Sequence, residues 1–167
     1  MTYTYIVSDS TPLMHLEAQL DGFSFLRRVF EKVYIPQAVA EELAEGYGIT
    51  PEEYLQMYAV TDFVEIYSLP VNPSLKELES LHKGEAEAIS LAHRLNLPLL
   101  IEEHKGRRIA RLNQITITGN AGIVLYACKN SICTKQEATD RLDTMLKTNN
   151  ISRYVYETIL NQLEQSE

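Results

Sequence analysis

Apolar and polar positions along this chain repeat now every second residue, now every third or fourth, and the switches between the two periods mark out strands and helices in alternation. Thr2 to Ser8 is β-branched and aromatic and predicts a first strand, ending at Asp9-Ser-Thr-Pro12. Ser10 or Thr11 is placed to cap a helix with Pro12 in its first turn, and Leu13, Leu16 and Leu20 follow at helical spacing. Phe23 to Phe30 predicts a short second helix. Lys32-Val-Tyr-Ile35 reads as a strand stopped by Pro36, which opens a helix to Glu45 that Gly46 ends. Thr50-Pro51 begins a further helix within residues 47–62, Phe63 to Tyr67 is a short strand, and the proline-bearing Leu69 to Ser74 is a connection.

The second half keeps the rhythm. Gly84 to Asn96 predicts an amphipathic helix with Ala88, Ile89, Ala92 and Leu95 on its buried side. Leu97-Pro-Leu-Leu-Ile101 is a continuous apolar run, as expected of a parallel strand covered on both faces. A helix over Lys105 to Leu112, a strand over Ile115 to Thr118 and an apolar helix after Gly119-Asn-Ala-Gly122 come next, and two closing helices follow from Thr134. Strands alternating with helices imply right-handed βαβ units, a mainly parallel central sheet and helices on both faces. The expected fold is therefore a three-layer α/β/α domain. At 167 residues it is read as one domain, 1–167, with C-terminal helices (about 134–167) packed on it.

Composition changes little in this picture. Apolar residues are 45% and charged residues 23%, ordinary for a soluble domain. No apolar run approaches the roughly 20 residues of a membrane helix, and Met1 to Ser8 carries no signal-peptide pattern, so the protein is expected to be cytoplasmic and to have no membrane partner. Cys128 and Cys133 have no histidine at zinc-ligand spacing, and Cys128 reads as a small buried hydrophobe. The four histidines, His15, His82, His93 and His104, share no metal spacing either.

Charge adds more. A net charge of −8 weighs against coating nucleic acid by bulk electrostatics, yet Lys105-Gly-Arg-Arg-Ile-Ala-Arg111 is locally basic directly after Glu102-Glu103. Open parallel sheets bind ligands outside the carboxyl ends of their strands. Asp9, the pair Glu102-Glu103 and Thr118 each close a predicted strand, while Glu85 stands in the first turn of a helix. Clustered carboxylates repel unless a cation lies among them, and hard oxygen ligands suit Mg²⁺ or Mn²⁺. Such a site would hydrolyse a phosphodiester. Helix-dipole complementation accounts for Glu85 equally well, and a solvated helix face for Glu41 and Glu42, so both readings stay open at this point.

Several of these segments together resemble the PIN-domain proteins, in particular their VapC-like branch of ribonuclease toxins. The likeness rests on Val7-Ser-Asp9-Ser-Thr-Pro-Leu13, on Val33-Tyr-Ile-Pro36 with Val39-Ala-Glu-Glu-Leu43, and on Gly84-Glu-Ala-Glu-Ala-Ile89. It continues in Leu100-Ile-Glu-Glu-His-Lys-Gly-Arg107 and Thr116-Ile-Thr-Gly119. The resemblance implies Asp9 as first metal ligand, with Glu42 and Glu85 as the second and third acids. Glu87 would point roughly 200° around the helix from Glu85, to a structural or substrate-contacting position. Where the family usually carries two aspartates this chain has Glu102 and Glu103, of which Glu103 aligns with the more important. The added methylene, about 1.5 Å of reach, would weaken the site, shift it toward Mn²⁺, or abolish activity.

The resemblance further implies Ser10, Lys105, Arg107, Thr118 and Asn120 as substrate-binding residues, although capping and solvated charge explain several of them as well. The expected function is a metal-dependent endoribonuclease, the toxin of a toxin–antitoxin pair, with RNA, a cognate antitoxin and a second copy of the chain as partners. A catalytically inactive module binding RNA or protein, and a DNA nuclease, are the alternatives. For Tyr154, Tyr156, Ile159 and Leu160, burial against their own domain is the simpler expectation and a dimer interface the other.

Overall fold

The computed structural model describes residues 4–19 and 21–165. Its first compact unit ends at Thr118 and its second begins at Gly119. The first holds five parallel strands: β1 (Tyr5–Ser8), β2 (Lys32–Pro36), β3 (Val64–Tyr67), β4 (Leu99–Leu100) and β5 (Ile117–Thr118), in the spatial order β3-β2-β1-β4-β5. The connections carry α1 (Ser10–Glu17), α2 (Gly22–Val29), α3 (Gln37–Glu45), α4 (Pro51–Met57), α5 (Lys83–Leu95) and α6 (His104–Leu112).

The strand order turns sequence into layers. From β1 to β3 the chain moves outward one way, and from β3 to β5 it moves back across the sheet and out the other way. Right-handed crossovers then put α1–α4 on one face and α5 and α6 on the other, the expected three-layer α/β/α arrangement. One core cluster joins Val7, Leu99 and Ile101 of the sheet to Ala88, Ile89 and Ala92 of α5 and to Ile109 and Ala110 of α6. Those α5 residues are three of the four assigned to its buried side from periodicity; Leu95, the fourth, packs half-buried at the margin.

Several boundaries differ from the sequence-based expectation. The helix after the first strand begins at Ser10, so Asp9 rather than Ser10 or Thr11 takes the N-cap position. The cause is that Asp9 N–H still donates to Leu100 O at 3.0 Å, which keeps Asp9 in the sheet and makes the turn abrupt. Of the predicted first strand, residues 1–3 lie outside the described residues, as does Leu20 of the first helix. The apolar run Leu97–Ile101 forms only a two-residue ladder strand. Its flanks are nonetheless held, through Val7 N–H to Pro98 O and Ile101 N–H to Thr118 O, both at 3.0 Å. A 3-10 turn at Leu78–Ser80, which no periodicity announced, precedes α5.

The second unit comprises α7 (Asn120–Lys129), α8 (Lys135–Lys147) and α9 (Arg153–Glu164), packed on one another. Thr134 and Ser152 cap α8 and α9 by accepting from Glu137 N–H at 3.1 Å and Val155 N–H at 3.2 Å. Cys128, expected to be a buried hydrophobe, is only half-buried, and Cys133 is buried. Burial was the simpler account of the α9 tyrosines, but Tyr154 is 78% exposed. Among the described residues no helix is long and apolar enough to cross a membrane.

Candidate functional site

β1 and β4 lie side by side while the connections leaving them run in opposite directions, which makes the crevice at their carboxyl ends the topological switch point of the sheet. A cleft of about 620 Å³ opens there, and Asp9, Glu42, Glu85 and Glu103 all line it. Each acid arrives on a different element. Asp9 follows β1, Glu42 sits on α3, Glu85 is in the first turn of α5, and Glu103 is the N-cap of α6. A second cleft of about 620 Å³ lies at the amino ends of β4 and β5, around His93, Asn96 and Gln114. No carboxylate lines it, so its chemistry is of another kind.

Asp9 is 2% exposed. Burial above all, joined by the neighbouring charges of Glu85 and Glu42 and opposed by the backbone N–H groups of Ser10 and Thr11, pushes its carboxyl up to about 7. Glu85 is also buried. Its Oε2 accepts from His82 N–H at 3.3 Å, whereas its Oε1 is buried without a hydrogen-bond partner. Glu42 is half-buried, with its carboxylate against the backbone of Gly84. Glu103 is exposed at the cleft, while Glu102 is half-buried, outside the lining, and its charge acts on Arg107.

The polar residues expected to bind substrate are distributed unevenly. Ser10 lines the cleft together with Thr11, and so does Lys105, whose ammonium donates to Ser80 O. Arg107 does not line it: Nη1 donates to Ile101 O at 2.7 Å, and burial lowers the guanidinium below its ordinary value. Thr118 ends β5 with its carbonyl accepting from Ile101 N–H. Asn120 opens α7 in the second unit and is buried. Glu87 turns away from Glu85, as the helical rotation requires, and its Oε2 accepts from Ala38 N–H at 3.1 Å at the start of α3. Ser80 and His82 also line the cleft, and no sequence pattern had marked them. They enter through the 3-10 turn before α5, whose position depends on packing.

The donor set consists of carboxylate oxygens, which suits a hard divalent cation rather than zinc. The buried, unpartnered Glu85 Oε1 and the buried Asp9 carboxyl, raised by burial and by the neighbouring acids, fit such a group. As the side chains stand, no three acids, histidines or cysteines among the described residues form a ready ligand group. The residues fit such an ion in kind, while their placement does not form a ready ligand group.

Of three comparisons with known proteins, one shows the family of this chain. No curated protein matches it. Among solved structures, a domain of a functionally unknown protein from Methanocaldococcus jannaschii DSM 2661 is similar, at 18% identity and a TM-score of 0.47, over 70% of this chain and 90% of that one. The family model DUF3368, a PIN domain, matches residues 5–165. With its parallel sheet, its acids gathered at the switch point and a match across nearly its whole length, the chain belongs to the PIN-domain family.

Proposed function

We propose that this PIN domain is a Mg²⁺- or Mn²⁺-dependent endoribonuclease of the VapC-like kind, acting as the toxin of a toxin–antitoxin pair. The observation that carries the reading is Asp9, buried and pushed up to about 7 beside Glu85 and Glu42. A group of carboxylates assembled from four elements at a switch point is costly unless a cation joins it. Asp9, Glu85 and Glu103 would hold the ion, with Glu42 beside them and Glu102, next to Glu103 in sequence, as a substitute ligand if its side chain turned into the cleft. When bound, the cation supplies Lewis-acid activation of water and of the phosphodiester.

The chain's own side chains do the rest. Lys105, exposed along the cleft with its ammonium donating to Ser80 O, would orient a phosphate on exchanging that carbonyl for it. The Ser10 and Thr11 hydroxyls line the same wall and supply hydrogen bonds to substrate or to a ligand carboxylate. An acidic cleft of this kind also favours a basic residue of an inhibiting partner, so a cognate antitoxin belongs to the same reading, while a homodimer is an expectation of the family resemblance alone. The test is cleavage of single-stranded RNA and structured tRNA with Mn²⁺ present, with single-stranded DNA as the comparison. Asp9→Asn should abolish cleavage; metal-dependent cleavage that survives this change would overturn the assignment.

A second reading has its own support, because no preformed three-ligand group is present among the described residues and glutamates stand at the strand end. It is a non-catalytic module that binds RNA or a protein. Calorimetric titration with Mg²⁺ and Mn²⁺ separates the two, since that module takes up no stoichiometric metal. Glu103→Asp shortens the side chain by one methylene and should tighten Mg²⁺ binding, as octahedral Mg²⁺ demands closer geometry than Mn²⁺. An unchanged Mg²⁺ affinity would remove Glu103 from the ligand set.

A further inference from the structure

Two glycines stand directly beneath two of the acids. A Cβ built on Gly84 would lie 2.8 Å from Glu42 Oε2 and 2.9 Å from the carboxyl carbon, with Oε1 closer still. A Cβ built on Gly106 would lie 2.8 Å from Glu85 Oε1 and 2.6 Å from Ile101 Cδ1. Real Cβ atoms essentially never come within 3.0 Å of a neighbour, so neither position takes a side chain without something moving.

Backbone conformation does not ask for glycine at either place. Both residues lie in helices, Gly84 in the first turn of α5 and Gly106 in the first turn of α6, and neither has a positive φ. Glycine is a poor helix former, so each position gives up helix propensity that alanine would supply. What both positions share is that the space of the missing Cβ is taken by a carboxylate from another element. Glu42 of α3 occupies it on α5, and Glu85 of α5 occupies it on α6. Glu85 Oε1, the oxygen over Gly106, is the buried one without a hydrogen-bond partner.

We propose that Gly84 and Gly106 are positioning residues of the acidic cleft, each leaving open on a neighbouring helix the space in which one acid of that cleft lies. The assignment rests on the metal reading above. At Gly84 the atoms a methyl would meet are all at the free end of the flexible Glu42 side chain. Alanine there displaces the carboxylate and leaves the fold in place. At Gly106 the methyl also meets Ile101, so Gly84→Ala is the cleaner variant and Gly106→Ala the supporting one.

The experiment compares full-length wild type, Gly84→Ala and the double variant Gly84→Ala/Glu42→Asp. Denaturation without metal is read beside calorimetric titration with Mn²⁺ alone. Gly84→Ala should keep or raise metal-free stability while Mn²⁺ affinity falls roughly tenfold or more, the usual scale for losing a group that orients metal ligands. Glu42→Asp withdraws the carboxylate from the new methyl, so the double variant should bind Mn²⁺ more tightly than Gly84→Ala alone. Wild-type affinity in Gly84→Ala, or a loss of affinity that merely tracks a loss of stability, would overturn the proposal. If the wild type takes up no Mn²⁺, the metal reading falls by itself, and a crystal structure of metal-free Gly84→Ala then decides the positioning role. A displaced Glu42 carboxylate supports it; a carboxylate left in place by a shifted helix overturns it.

Discussion

Asp9 is where burial and charge meet most sharply. The folded chain holds its proton up to about pH 7, while the unfolded chain releases it near the ordinary 3.8. Between those values the folded state binds more protons than the unfolded one. Asp9 therefore contributes its full stability below pH 3.8, and metal-free stability falls as pH rises toward 7, by on the order of 4 kcal/mol. Asp9→Asn should flatten this dependence and leave the metal-free protein more stable than wild type at pH 8, as melts from pH 4 to pH 8 would measure. A slope that persists in the variant would place the titration elsewhere. The residue proposed to bind metal is thus also one the metal-free fold tolerates poorly when ionised, a conflict often found at functional sites.

At the scale of elements, α3 and α5 are joined through Glu87. Pro36, at the N-cap of α3, offers no side-chain cap, and Ala38 N–H instead donates to Glu87 Oε2. The side chain of Glu87 is 12% exposed, and Lys83 Nζ lies 3.8 Å from its other oxygen. Glu87→Ala should cost about 1 kcal/mol, the usual worth of a helix cap, seen as a lower denaturant midpoint with unchanged slope. Glu87→Gln keeps an acceptor and should lose less; equal losses would assign the effect to the ion pair with Lys83. Since α3 carries Glu42, Glu87→Ala should also weaken Mn²⁺ binding.

Across the whole molecule, metal binding and folding are linked by mass action. Mn²⁺ at a hundredfold excess over its Kd should add about 2.7 kcal/mol to stability, provided the unfolded chain does not bind it. The melting temperature should rise with Mn²⁺ and return to its starting value on chelation. The effect should shrink below pH 7, where the proton competes for Asp9. A melting temperature indifferent to Mn²⁺ at pH 8 would favour the non-catalytic module.

Much of this was legible in the order of residues. The alternation of strands and helices is a local property, because apolar periodicity within each segment selects its element before any long-range contact forms. Asp9, Glu85 and Glu103 could be picked out for the same reason, as acids at strand ends and in an early helical turn, whereas Glu42 read by pattern as a solvated helix face and was singled out by the family resemblance. Distant packing settled the rest. A 3-10 turn without a periodic signal brings Ser80 and His82 to the cleft, and backbone carbonyls engage Lys105 and Arg107. Glu87 caps a helix it does not belong to, and the missing side chains of Gly84 and Gly106 make room for acids on other elements. Periodicity and propensity assign each residue to an element, but the proton held by Asp9 and the space beneath Glu42 and Glu85 arise only where those elements meet.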